Sequence, residues 1–184
     1  MNSFITAEGI LKPADRQACS FGVRFAGLFL LSFLSLALAS NVALAIEVSM
    51  PLASNLEADS KIVAGTKTVI ILYFSAPDCV YCMKLEKAVL EPMLRSGDYD
   101  EQVLLRKIDW RSAGQVNDFS GRRVSLNTLA DHYEVKVTPT LVFVDAGGRE
   151  VAPRILGFRS ADFFWYYLDQ RIDLSGLQIS GESR

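Results

Sequence analysis

Apolar and polar positions change their period several times along this chain, and each change marks an element. Residues 68–75 (TVIILYFS) are apolar almost throughout and rich in branched and aromatic side chains. Such a run predicts a central strand covered on both faces. Ala76-Pro77-Asp78 is a turn, and residues 83–90 (MKLEKAVL) then show helical apolar spacing. A helix is expected from about Cys79 to Glu91-Pro92, where the proline bends or ends it. Residues 54–64 read as an earlier helix, stopped by Gly65 and Thr66. Residues 103–109 (VLLRKID) form a second strand, and 110–127 a long polar connection with turns at Gly114 and Gly121. A short helix over 125–133 is capped by Ser125 or Asn127. A third strand (140–145), a Gly147-Gly148 hairpin turn and a returning strand (150–156) follow. The last helix spans 160–171, and residues 173–184 read as a loose polar tail. This order, βαβ and then ββα, predicts an α/β fold with a mixed sheet and helices on both faces.

The leading 45 residues stand outside that pattern. Arg24 precedes a charge-free apolar run, 26–38 (AGLFLLSFLSLAL), and Ala43-Leu44-Ala45 offers a small-x-small cleavage site. This is the layout of a secretory signal peptide over 1–45. The alternative is an uncleaved membrane anchor, although a full span needs about 20 apolar residues. Residues 46–172 are then one domain of ordinary size. The leader holds three of the 19 basic and two of the 21 acidic residues, which leaves 16 and 19, or net −3. So mild a balance carries no electrostatic footprint for nucleic acid.

Cysteine usage sharpens the picture. Cys19 departs with the leader, and the remaining two cysteines form one motif, Cys79-Val80-Tyr81-Cys82. A strand that delivers a cysteine to a helix start predicts a reactive thiol, because N–H groups there stabilise its thiolate. Cys82 lies one turn further on the same face, placed to attack a mixed disulfide on Cys79. Lys84 favours a thiolate on Cys79, whereas Asp78 opposes it. Two other roles for the pair are weaker. Structural zinc needs four ligands, and only His132, fifty residues away, is at hand. A purely structural disulfide closing so small a loop adds little stability. His132 itself, beside Leu129 and Tyr133, reads as packing or surface. The aromatic run 163–167 (FFWYY) reads as core with one exposed edge, and Asp118-Phe119-Ser120-Gly121 as an active-site loop or a solvated excursion.

The Cys-x-x-Cys after a buried strand, with Val137-Thr138-Pro139-Thr140 ahead of a later strand, a Gly147-Gly148 hairpin, Gly157 and a last amphipathic helix, resembles the thioredoxin superfamily over most of 52–172. It looks most like exported members, some of them associated with sulfur-compound oxidation. The resemblance implies a redox-active Cys79–Cys82 disulfide, with Cys79 and Cys82 as the catalytic pair. It also implies a cis Thr138–Pro139 bond and a Thr138 main chain that docks an extended substrate segment. Two features depart from the pattern. Cytosolic thioredoxins usually carry a buried Asp, six residues before the first cysteine, that can take the resolving thiol's proton; here that residue is Tyr73. The motif is also not Trp-Cys-Gly-Pro-Cys.

The resulting expectation is an exported, periplasmic thiol–disulfide oxidoreductase. Its partners are exported proteins with cysteine pairs and a membrane redox protein that recycles it. No bound cofactor is required, since the electrons reside in the cysteine pair. The direction leans to reduction, because no histidine stands between the cysteines and no extra domain serves isomerisation. A disulfide-donating oxidase and a non-catalytic binding module on the same fold are the alternatives.

Overall fold

Alternate residues of one strand organise two separate hydrophobic layers in the computed structural model, which describes residues 48–181. The expected leader lies outside that range. β1 (Val69–Ser75) is buried at every position. Its odd-numbered residues Val69, Ile71 and Tyr73 face one layer, and Ile70, Leu72 and Phe74 face the other. The sheet order is β2-β1-β5-β6, with β2 (Val103–Asp109) parallel to β1. β5 (Thr140–Val144) and β6 (Glu150–Leu156) are each antiparallel to the strand before them in that order. The two inner strands are wholly buried, whereas β2 and β6 at the edges are mixed. A continuous apolar run is what a strand covered on both faces requires. The mixed α/β architecture is therefore the one expected.

α1 (Leu56–Val63) and α4 (Leu126–His132) cover the Phe74 face. Asn55 caps α1 by accepting from the Ala58 N–H, and Ser125 caps α4 by accepting from that of Thr128. Arg106 on β2 grips Asp59 of α1 with two hydrogen bonds of 2.9 and 2.6 Å. The free edge of β2 is shielded by residues just before α1. The Ala53 N–H donates to Lys107 O and the Lys107 N–H to Pro51 O, both at 2.8 Å.

On the Tyr73 face lie α2 (Val80–Leu85), a π-helical segment (Glu86–Leu90), α3 (Glu91–Ser96) and α5 (Ala161–Ile179). Pro92 does not end the helix begun at Cys79. The π segment, in which the Glu91 N–H bonds Glu86 O, widens the turn just ahead of the proline, and the helical run continues through Pro92, in the first turn of α3, to Ser96.

Three further expectations change. Residues 173–179 are helical, not a loose tail, because the buried stripe of Phe164, Leu168 and Ile172 runs on past residue 172 through Ser175, whose hydroxyl donates to Arg171 O, to Ile179. Residues 182–184 lie outside the described range. The 110–127 connection contains a small ribbon of β3 (Gln115–Asn117) and β4 (Arg123–Ser125). Of the 163–167 aromatic run, only Phe164 is fully buried; Phe163, Tyr166 and Tyr167 are exposed.

Candidate active site

β1 delivers its chain to a tight turn. The Cys79 N–H donates to Ala76 O at 3.3 Å, and Asp78 takes a left-handed φ of +60°, which aspartate tolerates better than most residues. Cys79 then occupies the N-cap of α2 with extended backbone. Its Sγ accepts the Cys82 N–H at 3.2 Å, in the role a serine or aspartate oxygen plays at other helix starts. The first helical bond runs from the Met83 N–H to Cys79 O at 3.1 Å. Cys79 and Cys82 are joined in a disulfide with their Cα atoms 5.2 Å apart. The two sulfur residues differ in access: Cys79 is partly exposed, and Cys82 is only 1% exposed. Val80, Tyr81 and Met83 form an exposed apolar rim around the pair.

Sheet register brings the second motif to the same end of the molecule. Phe74 of β1 pairs with Thr140 of β5, so the residues just before Thr140 arrive where β1 leaves for the cysteines. The Thr138–Pro139 bond is cis. The Gly157 N–H donates to Pro139 O and Thr140 Oγ1 donates to Val137 O, both at 2.8 Å. These bonds fix the backbone on either side of Thr138. Val137 and Leu156 add exposed apolar surface here.

The face of β1 beneath the cysteines carries a polar cluster that sequence reasoning missed. Tyr73 is fully buried, and its hydroxyl donates to Glu86 Oε1 at 2.8 Å. Lys107, paired with Tyr73 in the β1–β2 register, places Nζ 2.9 Å from the same Oε1 and 3.8 Å from Asp109. Burial pushes the Tyr73 phenol far above its ordinary value; the Glu86 and Asp109 charges push the same way, against the nearby Ser75 hydroxyl. Tyr73 is therefore a fixed donor at neutral pH. Glu86 stands four residues after Cys82, and its N–H donates to Cys82 O. The sequence does show Glu86 one helical turn beyond Cys82. Its partners, however, are set by strand register.

Other sequence candidates fall elsewhere. Lys84 holds its ammonium 5.7 Å from the centre of the Tyr81 ring. His132 is exposed and meets the Tyr133 ring edge-on at 4.9 Å. The loop around Phe119 is not an active-site loop. Phe119 lies so close to Gly148 that a Cβ there would sit 2.5 Å from its ring. Gly148 belongs to the β5–β6 hairpin, at the end of β5 opposite Thr140.

A family model described as a thioredoxin-like domain matches residues 56–172. No curated protein matches the sequence. Among solved structures, oxidised thioredoxin O2 from Arabidopsis thaliana is 22% identical, with a TM-score of 0.44 over 66% of this chain and 91% of that one. The reduced periplasmic thioredoxin SoxS from Paracoccus pantotrophus is 24% identical, with a TM-score of 0.41 over 58% of this chain and 98% of that one. A DsbH oxidoreductase is 19% identical, with a TM-score of 0.48 over 74% and 96%.

Proposed function

Because this chain belongs to the thioredoxin-like domain family and is a thiol–disulfide oxidoreductase, we propose that it is exported and reduces disulfides in other exported proteins. One observation carries the role assignment: a partly exposed Cys79 at a helix start, joined to a buried Cys82 one turn inside. The Cys79 thiolate attacks a substrate disulfide, forms a mixed disulfide and releases the first substrate thiolate. Cys82 then attacks Cys79 Sγ, and the second substrate thiolate leaves. Two electrons pass to the substrate, and the pair ends in the oxidised form seen here. The Thr138 main chain pairs with an extended substrate segment while the rim of Val80, Tyr81 and Val137 covers its apolar side chains. Recycling falls to a membrane redox protein, and no bound cofactor is needed.

Export rests on the leader pattern over 1–45, cleaved after Ala45 or retained as an anchor. Among the described residues, no helix is long and apolar enough to cross a membrane. The motif set resembles that of exported thioredoxin-like proteins, some of them associated with sulfur-compound oxidation, so a sulfur-oxidation partner belongs among the substrates to test.

Two assays test the reading. In insulin reduction with dithiothreitol, the wild type accelerates turnover and Cys79→Ser does not; equal rates favour the binding-module alternative. Cys82→Ser, expressed with its leader, accumulates mixed disulfides with exported proteins on Cys79. A reduction potential above about −150 mV, near the oxidising end of known pairs, overturns the reducing direction.

A further inference from the structure

We propose that Glu86 is the proton acceptor for Cys82, held in place by Tyr73 and Lys107, and that this cluster replaces a carboxylate on the central strand. The inference rests on the disulfide exchange proposed above and adds a residue to it. Cys82 is buried, so its thiol has no bulk water to ionise into. Its attack on Cys79 Sγ requires the proton to leave first, since the thiolate is the nucleophile. Tyr73 does not serve as that acceptor: burial and the neighbouring carboxylate hold it protonated, and its hydroxyl already donates to Glu86.

Glu86 meets the geometric requirements. Residues four apart on a helix are neighbours, with Cβ atoms about 5–6 Å apart. A helical side chain leans back over the turn before it, which for Glu86 is the turn of Cys82. Tyr73, the donor to Glu86, packs in the same buried cluster as Cys82. The Glu86 side chain is 16% exposed, largely buried yet open enough to hand a proton on to solvent. The charged and titratable groups facing it are Tyr73 of β1, Lys107 of β2 and, through Lys107, Asp109. The Tyr73 hydrogen bond and the Lys107 ion pair both meet the carboxylate at Oε1.

The step balances. The Cys82 S–H proton moves to the Glu86 carboxylate, directly or through one water. The Cys82 thiolate forms the bond to Cys79 Sγ, the bond from Cys79 Sγ to the substrate sulfur breaks, and the departing thiolate takes a proton from solvent. Glu86 then returns its own proton to solvent. No other oxidant or reductant enters.

The test is stopped-flow exchange with a model disulfide peptide. In Glu86→Gln, resolution of the mixed disulfide slows about 100-fold or more at neutral pH, the lower end of general-base contributions. The deficit shrinks as pH rises and Cys82 ionises unaided. Formation of the mixed disulfide, read in a Cys82→Ser background, stays within about twofold of the protein retaining Glu86, since Cys79 does not use this carboxylate. Resolution within about threefold of wild type, or a slowing with no recovery at high pH, or an equal slowing of both steps, overturns the proposal. Should Glu86→Gln not fold, Tyr73→Phe keeps the ring and removes the donor. It must then slow resolution alone, and unchanged resolution overturns the proposal. A wild type that forms no mixed disulfide sinks the exchange reading itself; one that exchanges normally beside an unaffected Glu86→Gln sinks only the role of Glu86.

Discussion

Alkylation of the reduced protein reads the asymmetry of the cysteine pair directly. A Cys79 thiolate keeps the Cys82 N–H as a charge-assisted donor, worth about 1.5–3 kcal/mol. The start of the continuous helical run adds roughly 0.3–1 kcal/mol. Together these favour thiolate on Cys79 by about 2–4 kcal/mol, but at pH 7 the ratio saturates at about 16- to 30-fold, because an ordinary thiol is already a few per cent ionised there. A more stable thiolate is a poorer nucleophile, and a Brønsted slope of about 0.4–0.5 gives back nearly half the pKa shift. The net preference from ionisation at pH 7 is roughly one- to fourfold before access is counted. Cys82 is 1% exposed, so access supplies most of the difference. Iodoacetamide at pH 7, limiting and acid-quenched, should therefore modify Cys79 at least about tenfold faster than Cys82. Trypsin leaves both cysteines in one peptide between Lys67 and Lys84, so fragment-ion intensities give the ratio. Cys82→Ser should retain the fast phase and Cys79→Ser only the slow one. Equal labelling, or preference for Cys82, would refute the attacking role of Cys79.

Three other outcomes are expected. Asp59→Ala strands a largely buried Arg106 and should cost about 3–5 kcal/mol by urea unfolding, while Lys61→Ala, in an exposed pair with Glu57, should cost under about 0.5 kcal/mol; similar losses would contradict this. Tyr73 and Tyr133 are both buried with phenols raised well above the ordinary value, so the folded state holds protons that the unfolded chain releases above about pH 10. Their contribution is complete below that pH and is lost as pH rises, by about 1.36 kcal/mol per pH unit for each group. Tyr73→Phe should halve that part of the slope, whereas a phenolate signal from all six tyrosines in the intact fold would exclude it. Finally, a reductant has its oxidised form favoured by folding, so the oxidised protein should melt at or above the reduced one near neutral pH; a reduced form melting several degrees higher would mark a disulfide donor.

What could be read from the sequence follows from where each element lies. β1 and β5 are interior, so every side chain had to be apolar, and the runs stand out unaided. The cysteine motif and Thr138-Pro139 are local patterns and also stand out. The β3–β4 ribbon has three residues per strand, too few to show a period. The end of α5 reads as a loose tail because Asp173, Gly176 and Gln178 make the segment look polar. Yet the stripe from Phe164 to Ile179 keeps three- and four-residue spacing, so that signal was present. The Tyr73–Glu86–Lys107 cluster draws on three elements and depends on the Tyr73–Lys107 register, which no local pattern encodes.

Tyrosine at position 73 looks like a loss only if the strand is the one place for an acid. A carboxylate there would be enclosed on both faces and at both neighbouring strands, where burying a charge is costly unless it is fully paired. Moving it to Glu86, on the helix and partly exposed, lowers that cost and brings the Lys107 ammonium within 2.9 Å. Tyr73 then fills the buried volume and spends its one hydroxyl proton on the displaced carboxylate. A proton acceptor must also release its proton to water, and the helix site retains contact with solvent that position 73 lacks. On this argument Tyr73 and Glu86 are coupled. Restoring Asp at 73 while Glu86 remains would put two carboxylates against one lysine. Tyr73→Asp should therefore lose more stability in the presence of Glu86 than in Glu86→Gln, by about 1 kcal/mol or more in a double-mutant cycle. Strict additivity of the two substitutions would show that they act independently.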